Sequence, residues 1–95
     1  MDLSVIVAVY NHDKVIRRCV ESLLGQKQTA LSVEILLIDD GSADESAGIC
    51  DSYSEQYDWI HTFHKKNGGC VDSRRYGIAR AKGNYIAFVD GDDYV

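Results

Sequence analysis

Blocks of apolar residues separated by polar turns predict four strands in this chain. Residues 3–9 form a nearly unbroken apolar, β-branched run, which is typical of a strand buried on both faces of a parallel sheet. Similar runs at 34–39, 60–63 and 85–90 predict three further strands, and the last of them is also expected to be buried. Each run is far shorter than the roughly 20 residues that a membrane-spanning helix requires, so no membrane-spanning segment is expected.

Apolar residues with helical spacing lie between these strands. From 13 to 26 they recur at i, i+1, i+4, i+5, i+8 and i+9, the pattern of an amphipathic helix. A second helix is expected to start at Ser42, because Glu45 three residues later would complete a capping box. A third helix is expected from about 71 to 82, after a glycine-rich loop at 67–69.

Strands that alternate with helices indicate an α/β fold, a doubly wound parallel sheet with helices on both faces and three αβα layers in a Rossmann-like arrangement. The 95 residues contain no proline, repeat or low-complexity run, so 1–95 is expected to form one domain. The first strand is followed by Tyr10-Asn11-His12 and not by G-x-G-x-x-G, which disfavours a standard dinucleotide-binding fold. In sheets of this kind, ligands bind beyond the carboxyl ends of the strands, where the strand order reverses.

Composition limits the classes of partner and the cellular compartment that are expected. A formal charge of −5 argues against nucleic-acid binding, which needs clustered Lys and Arg. The N-terminus lacks the basic segment of a secretory signal, and the three cysteines match no zinc or disulfide framework. Cys19 and Cys50 fall on apolar helical stripes and are expected to be structural, whereas Cys70 is expected in a loop. The protein is therefore expected to be cytoplasmic, in solution or at the inner face of the membrane.

Polar residues stand where the predicted strands end. Tyr10 and Asn11 follow the first strand, and Asp39 and Asp40 follow the second. Turn formation explains an Asp pair before Gly41, although carboxylates at strand ends also accept hydrogen bonds from a base N–H or from ribose hydroxyls. Because the carboxyl ends of parallel strands share one edge of the sheet, these residues are expected to lie on a common rim.

Three carboxylates within four residues follow the last strand, those of Asp90, Asp92 and Asp93. They repel one another when a fold brings them together, and a bound cation relieves that repulsion. Oxygen ligands of this type suit Mg²⁺ or Mn²⁺, which bind one or two carboxylates together with substrate phosphates and water. The cluster predicts a metal site on the same rim, with a solvated acidic loop as the alternative.

Arg74 and Arg75 lie at the start of the third predicted helix. Backbone N–H groups at a helix start and guanidinium groups both bind anions such as a diphosphate. Adjacent residues of a helix cannot face the same way, so surface ion pairing remains the alternative. His12, His61 and His64 show no metal-ligand spacing and are expected to be exposed to solvent.

Taken together, these motifs resemble those of family-2 glycosyltransferases, enzymes with a GT-A fold. The resemblance spans nearly the whole chain, in segments 4–11, 37–42, 67–74, 77–83 and 85–93. It implies that the chain is the N-terminal, nucleotide-sugar-binding portion of such an enzyme. The implied reaction transfers a sugar from a nucleotide-diphospho-sugar, usually a UDP-sugar, to the hydroxyl of an unknown sugar or lipid-linked acceptor, with inversion, as in cell-envelope polysaccharide biosynthesis.

The resemblance also implies roles for individual residues. The implied substrate-binding residues are Tyr10, Asn11, Asp39, Asp40, Arg74 and Asp92, and the implied metal ligands are Asp90, Asp92 and Asp93. Tyr10 is expected to stack near the base and Asp40 to bond it, with Asp39 supporting the turn. Arg74 is expected to approach the base or the diphosphate, and Asp93 to ligate the Mg²⁺ or Mn²⁺ ion of the Asp-x-Asp motif.

Two substitutions and the length depart from the family pattern. Ala8 stands where the family commonly has proline and Arg75 where asparagine is common, which concerns donor preference and not the enzyme class. Family members continue well past this length, and the further residues build the acceptor site and supply the general base that deprotonates the acceptor. The chain is therefore expected to be truncated and to bind the donor without transferring it, with the base beyond Val95.

Three alternative interpretations stay open at this point. A haloacid-dehalogenase-like phosphatase carries an Asp-x-Asp loop after an apolar strand, but there the loop opens the domain and here it closes the chain. A response-regulator receiver has acids at its strand ends, but its first strand is followed by an acidic pair and not by Tyr10-Asn11-His12. A nucleotide-binding module without catalysis is the third alternative.

Overall fold

Strands and helices alternate along the chain, as the hydrophobic pattern predicts. The computed structural model describes residues 2–26 and 32–91. The elements in chain order are β1 (Leu3–Val9), α1 (Ile16–Gln26), β2 (Val33–Asp39), α2 (Ser46–Gln56), β3 (Ile60–His64), α3 (Cys70–Arg80) and β4 (Tyr85–Asp90). The bounds of β1 and β4 are those predicted, and β2 and β3 each gain one residue.

The four strands form one parallel sheet in the order β3-β2-β1-β4. The chain passes outward from β1 to β2 and β3, and then returns to the other side of β1 to form β4. The strand order therefore reverses between β1 and β4, which is the position where open α/β sheets bind ligands. The predicted fold class, a doubly wound parallel α/β sheet, is confirmed.

Helices cover both faces of the sheet, because β1 and β2 are apolar on both sides. Alternate residues such as Val5 and Val7 pack with α1 and α2 in the larger core cluster, whereas Ile6 faces α3 in the smaller one. Cys19 and Cys50 are fully buried in the larger cluster, and burial raises the pKa of the Cys50 thiol to about 12. The prediction that these two thiols are structural agrees with this packing, and none of the three cysteines forms a disulfide.

The prediction that the last strand is buried is wrong for most of its length. β4 pairs with β1 along one edge only, and Tyr85, Ile86 and Phe88 are exposed. A run of apolar residues fits a central strand, and it also fits an edge strand that the other described residues leave uncovered. The hydrophobic pattern therefore could not distinguish these two positions.

The predicted starts of the helices are also corrected. α1 begins at Ile16 and not at residue 13, and α2 begins at Ser46 with no side-chain capping bond from Glu45. The capping box at Ser42 is therefore wrong, since Asp44 Oδ1 instead accepts the Ser46 N–H at 2.9 Å. Cys70 is the first residue of α3 and not a loop residue, and α3 ends at Arg80.

The helices of the described ranges are short. Each of the three contains 11 residues, and none is long and apolar enough to cross a bilayer.

A cleft at the carboxyl ends of the strands as the candidate functional site

Backbone hydrogen bonds join the loops that follow β2, β3 and β4 to the ends of the neighbouring strands. Asp40 N–H donates to Val9 O at 2.8 Å, Lys65 N–H to Asp39 O at 2.9 Å, and Gly91 N–H to Ala8 O at 2.8 Å. Each bond continues the parallel ladder by one residue beyond its strand. The rim predicted from the strand ends is therefore present, and its loops start from fixed positions.

A cleft of about 290 Å³ opens on this rim. It lies at the reversal of strand order between β1 and β4, and its size is near the lower end for small-molecule pockets. The lining residues are Ala8, Val9, Tyr10, His12, Asp40, Asn67, Gly69, Cys70, Ser73 and Asp90. Of the predicted site residues, Tyr10, Asp40 and Asp90 line it, whereas Asn11, Asp39 and Arg74 do not.

Asp40 is the hydrogen-bonding centre of the rim, although it is only 4% exposed. Its Oδ1 accepts from Lys65 Nζ at 2.5 Å and from the Gly68 N–H at 2.9 Å. Its Oδ2 accepts from the Gly69 N–H at 2.9 Å and from Asn67 Nδ2 at 3.2 Å. The carboxylate of one strand end thus holds the whole loop that leads into α3.

These donors keep Asp40 ionised. Burial by itself would raise the pKa of the Asp40 carboxyl, but the hydrogen bonds from Lys65, Gly68 and Gly69 outweigh burial and lower it. For Lys65, burial acts to lower the pKa of the ammonium, and its bonds to Asp40 and Asp72 raise it overall. Since a carboxylate offers about four lone-pair sites, a base N–H that binds Asp40 must share one of its oxygens with these donors.

Asp39 supports the same turn from within the protein, as its predicted role requires. It is 3% exposed, and its Oδ1 accepts the Ser42 N–H at 2.9 Å. Its Oδ2 lies 2.8 Å from His64 Nδ1, and the other ring nitrogen of His64 lies 2.9 Å from Asp51 Oδ1. His64 is exposed, as predicted, but it also joins the end of β2 to α2, a role that the prediction did not include.

Stability should depend on pH through His64. The hydrogen bond to Asp39 raises the pKa of the His64 imidazole, burial opposes the rise, and the bond to Asp51 adds to it. Protonated His64 therefore stabilises the fold fully below its unfolded pKa of about 6.5, and the contribution is lost as the pH rises through the folded pKa. We expect His64→Asn to lower the melting temperature more at pH 6 than at pH 9, in thermal unfolding followed by circular dichroism. An equal loss at both pH values would contradict this.

Asn11 connects the loops after β1 and β2. Its φ of 53° is in the left-handed region, which Asn tolerates better than most residues. Its backbone N–H donates to Ser42 Oγ at 3.0 Å, and its Oδ1 accepts the Ala43 N–H at 2.8 Å. Asn11 thereby fixes the position of its neighbour Tyr10, whose half-exposed side chain lines the cleft.

Arg74 lies outside the cleft in the structure. Its guanidinium carbon is 5.4 Å from the centroid of the Phe88 ring, over the exposed face of β4. Arg75, its neighbour on the helix, is exposed. The predicted contact between Arg74 and a base or diphosphate stays a prediction, and it requires the side chain to reach from β4 towards the rim.

Asp90 is the part of the acidic cluster that the structure describes, since Asp92 and Asp93 lie outside the described residues. Its carboxylate faces the cleft near Cys70, whose Sγ lies 3.8 Å from Asp90 Oδ1. Gly91 follows directly, and a Cβ there would lie 2.6 Å from His12 Nδ1, so the glycine lets the acidic loop pass close to His12. Within 2–26 and 32–91, no cluster of three potential metal ligands occurs.

Sequence reasoning missed the cations of the rim. His64 and Lys65 stand at the end of β3, opposite Asp39 and Asp40 at the end of the neighbouring β2. The signal was available in part, because all parallel strands end at one edge and the strand predicted at 60–63 stops directly before His64 and Lys65. His12, Cys70 and Ser73 also line the cleft without having been predicted to.

Comparison with known proteins agrees with this fold. Residues 4–95 match the family model for glycosyl transferase family 2. The glycosyltransferase GlyG of Streptococcus pneumoniae is 45% identical over 94 residues, which are 98% of this chain and 31% of GlyG. EpsJ of Bacillus subtilis, also named as a glycosyltransferase, is 44% identical over 93 residues, which are 98% of this chain and 26% of EpsJ.

A solved structure is similar as well. TarS 1–349 of S. aureus in complex with UDP-GlcNAc superposes with a TM-score of 0.88 at 32% identity, over 99% of this chain and 27% of that one. The chain thus belongs to glycosyltransferase family 2, as the resemblance implied. Membership of this family excludes the phosphatase and receiver alternatives. The chain spans less than a third of the length of GlyG and EpsJ.

Proposed function

We propose that this chain is the donor-binding part of an inverting glycosyltransferase and binds a nucleotide-diphospho-sugar, with UDP as the nucleotide, in the cleft between β1 and β4. The observation that carries the proposal is the convergence of Tyr10, Asp40 and Asp90 on one cleft at the reversal of strand order. These residues come from three different strand ends. The complex of TarS with UDP-GlcNAc supports the choice of nucleotide, since TarS shares the fold and 32% of the sequence.

We propose that the two ends of such a ligand contact different residues of the cleft. In the proposed arrangement the base stacks on Tyr10 and shares the Asp40 carboxylate, while Asn11 and Asp39 hold the turns that carry these two residues. Stacking on an aromatic ring suits any flat base, so the hydrogen bonds supply the preference among bases. The diphosphate is proposed to extend towards Asp90, with Arg74 as a further contact once its side chain leaves Phe88.

We propose that a divalent cation binds beside Asp90 in this cleft. Asp90 presents a carboxylate there, and Asp92 and Asp93 continue the same motif in the sequence. Mg²⁺ and Mn²⁺ use one or two carboxylates together with phosphate oxygens, which matches this donor set. When bound, such an ion would neutralise charge on the departing nucleoside diphosphate. We assign Asp90, Asp92 and Asp93 as its ligands, and Asp92 also as a contact of the ribose.

The residues that complete the reaction are proposed to lie outside this chain. An acceptor hydroxyl needs a general base within hydrogen-bonding reach, and the proposed base is beyond Val95. The proposed acceptor is a sugar or a lipid-linked sugar, used in the cytoplasm or at the inner face of the membrane. The 95 residues alone are therefore expected to bind the donor without transferring the sugar.

Metal-dependent binding of UDP tests this function. At a UDP concentration 100 times Kd, binding stabilises the fold by about 2.7 kcal/mol, which raises the melting temperature of a domain of this size by roughly 10–20 °C. We expect this rise with Mg²⁺ or Mn²⁺ and none after chelation. The measurement is thermal unfolding with and without UDP, followed by calorimetric titration of UDP.

Two variants sharpen the test. Asp93→Asn is expected to abolish the metal-dependent rise while far-UV circular dichroism stays unchanged, because it removes one charged ligand without changing the shape of the side chain. Asp58→Asn, in the turn before β3, is the matched control and should bind UDP like the wild type. Equal UDP binding with and without metal would overturn the metal assignment, and no UDP binding under any condition would overturn the function.

A further inference from the structure

Ser73 is a buried polar residue that the fold does not use. It is 0% exposed, and its Oγ has no hydrogen-bond partner among the described residues. It also lines the cleft. Most buried hydroxyl groups in proteins are hydrogen-bonded, because an unsatisfied one costs free energy. A ligand in the cleft could supply the missing partner.

The packing of α3 fixes Ser73 at the cleft. Gly77 lies one turn after Ser73 on the same face of the helix, and a Cβ on Gly77 would lie 2.5 Å from Ile6 Cγ2. The helix therefore approaches β1 closely at Gly77. Gly69, which precedes the helix, is held through its backbone N–H by Asp40. With both ends of this turn anchored, Ser73 has little freedom to leave the cleft.

The chemistry of the lining favours a neutral, flat group over a phosphate next to Ser73. Its charged members in the described ranges are Asp40 and Asp90, and no Lys or Arg is among them. Two carboxylates repel a phosphate that enters without a cation. The remaining surface is mainly apolar, with Ala8 and Val9 on one side. A nucleobase has apolar faces and hydrogen-bonding edges, so it fits both the apolar wall and the hydroxyl.

We propose that the Ser73 hydroxyl hydrogen-bonds to the nucleobase of the bound nucleotide and is a specificity-determining contact of the cleft. This inference rests on the proposed nucleotide-binding function. Ser73 acts together with Tyr10 and Asp40, which bind the same base from the ends of β1 and β2. Before the ligand binds, the buried hydroxyl is unsatisfied. Binding supplies its partner, and the free energy recovered adds to the affinity for the base.

Replacing Ser73 by alanine tests the contact, because it removes one oxygen atom and adds no volume. We expect Ser73→Ala to weaken UDP binding about tenfold, the typical effect of losing one hydrogen bond to a buried group. Its melting temperature without ligand should equal or exceed that of the wild type by up to about 4 °C, since an unsatisfied buried hydroxyl is removed. Binding is measured calorimetrically with UDP, UMP and inorganic pyrophosphate in the presence of Mn²⁺.

The three ligands and a control variant separate the outcomes. Affinity for UDP and UMP should fall in Ser73→Ala, whereas pyrophosphate affinity should not change. Ser52→Ala, on an exposed part of α2 where the hydroxyl bonds its own helix at 2.6 Å, should bind all three like the wild type. A lower melting temperature with unchanged UDP affinity would mean that Ser73 bonds its own helix, and an equal loss for pyrophosphate would mean a phosphate contact; each overturns the inference. A wild type that binds pyrophosphate but no nucleotide overturns the proposed function as well.

Discussion

Asp40→Asn is expected to lower the free energy of unfolding by about 3 kcal/mol, because a buried carboxylate with four donors loses its charge and one acceptor oxygen. The amide keeps a single acceptor oxygen and places an NH₂ group against N–H donors. Lys65, whose side chain is 8% exposed, is left with Asp72 as its one partner of opposite charge in the described ranges. Urea unfolding at pH 7 measures the loss.

The pH dependence of the same variant separates charge from shape. Because the folded pKa of Asp40 is lowered, its stabilising contribution is present above the unfolded pKa and is lost as the pH falls through the folded pKa. The difference between wild type and Asp40→Asn should therefore shrink below about pH 4. Asp58→Asn, an acid in the turn before β3, should change stability by less than about 0.5 kcal/mol. A loss for Asp40→Asn no larger than this control would contradict the role assigned to Asp40.

Gly77→Ala is expected to destabilise the protein by about 2 kcal/mol, because the new methyl group overlaps the buried Ile6 side chain. Ile6 is β-branched and 1% exposed, so it cannot turn away, and α3 must shift from the sheet instead. That shift displaces Ser73 and the loop bound by Asp40, so UDP affinity should fall together with stability. Urea unfolding and calorimetric UDP titration measure the two effects.

The same substitution in another helix gives a matched control. Gly48 lies on α2, and a Cβ added to it would have nothing within 4 Å, so Gly48→Ala should stabilise the protein by about 0.5–1 kcal/mol through helix propensity alone. In a double-mutant cycle, Ile6→Ala should cost about 1 kcal/mol less in the Gly77→Ala background than in the wild type. If Gly77→Ala and Gly48→Ala changed the free energy of unfolding in the same direction, the contact with Ile6 would not limit the packing of α3.

Most of the secondary structure could be predicted because the hydrophobic pattern reflects which faces of each element are buried. The run at Leu3–Val9 and the helical spacing in α1 depend on which faces are covered, and a local pattern records that directly. Helix starts were harder, because distant residues bind the groups that precede them. The His12 N–H donates to Ser46 Oγ at 2.8 Å and the Asp13 N–H to Asp44 Oδ2 at 3.1 Å, so residues near the start of α2 fix the chain before α1.

The candidate site was likewise predictable from the sequence only in part. Tyr10, Asp40 and Asp90 were placed on one rim from the sequence, because parallel strands end at one edge whatever their order. The exposure of β4 and the contact of Arg74 with Phe88 could not be predicted, since both depend on β4 lying at the edge beside β1. The roles of Asp92 and Asp93 as metal ligands stay predictions.

The sequence by itself determined the family, the parallel α/β fold and which strand ends carry polar groups, since these follow from local patterns and motif order. Only the tertiary structure decided what those groups contact. It joined Lys65 to Asp40 and His64 to Asp39 across neighbouring strands, and it left the Ser73 hydroxyl on the cleft wall without a partner in the described residues. Pairings of this kind depend on strand order and helix approach, which bring together residues that are far apart in the chain.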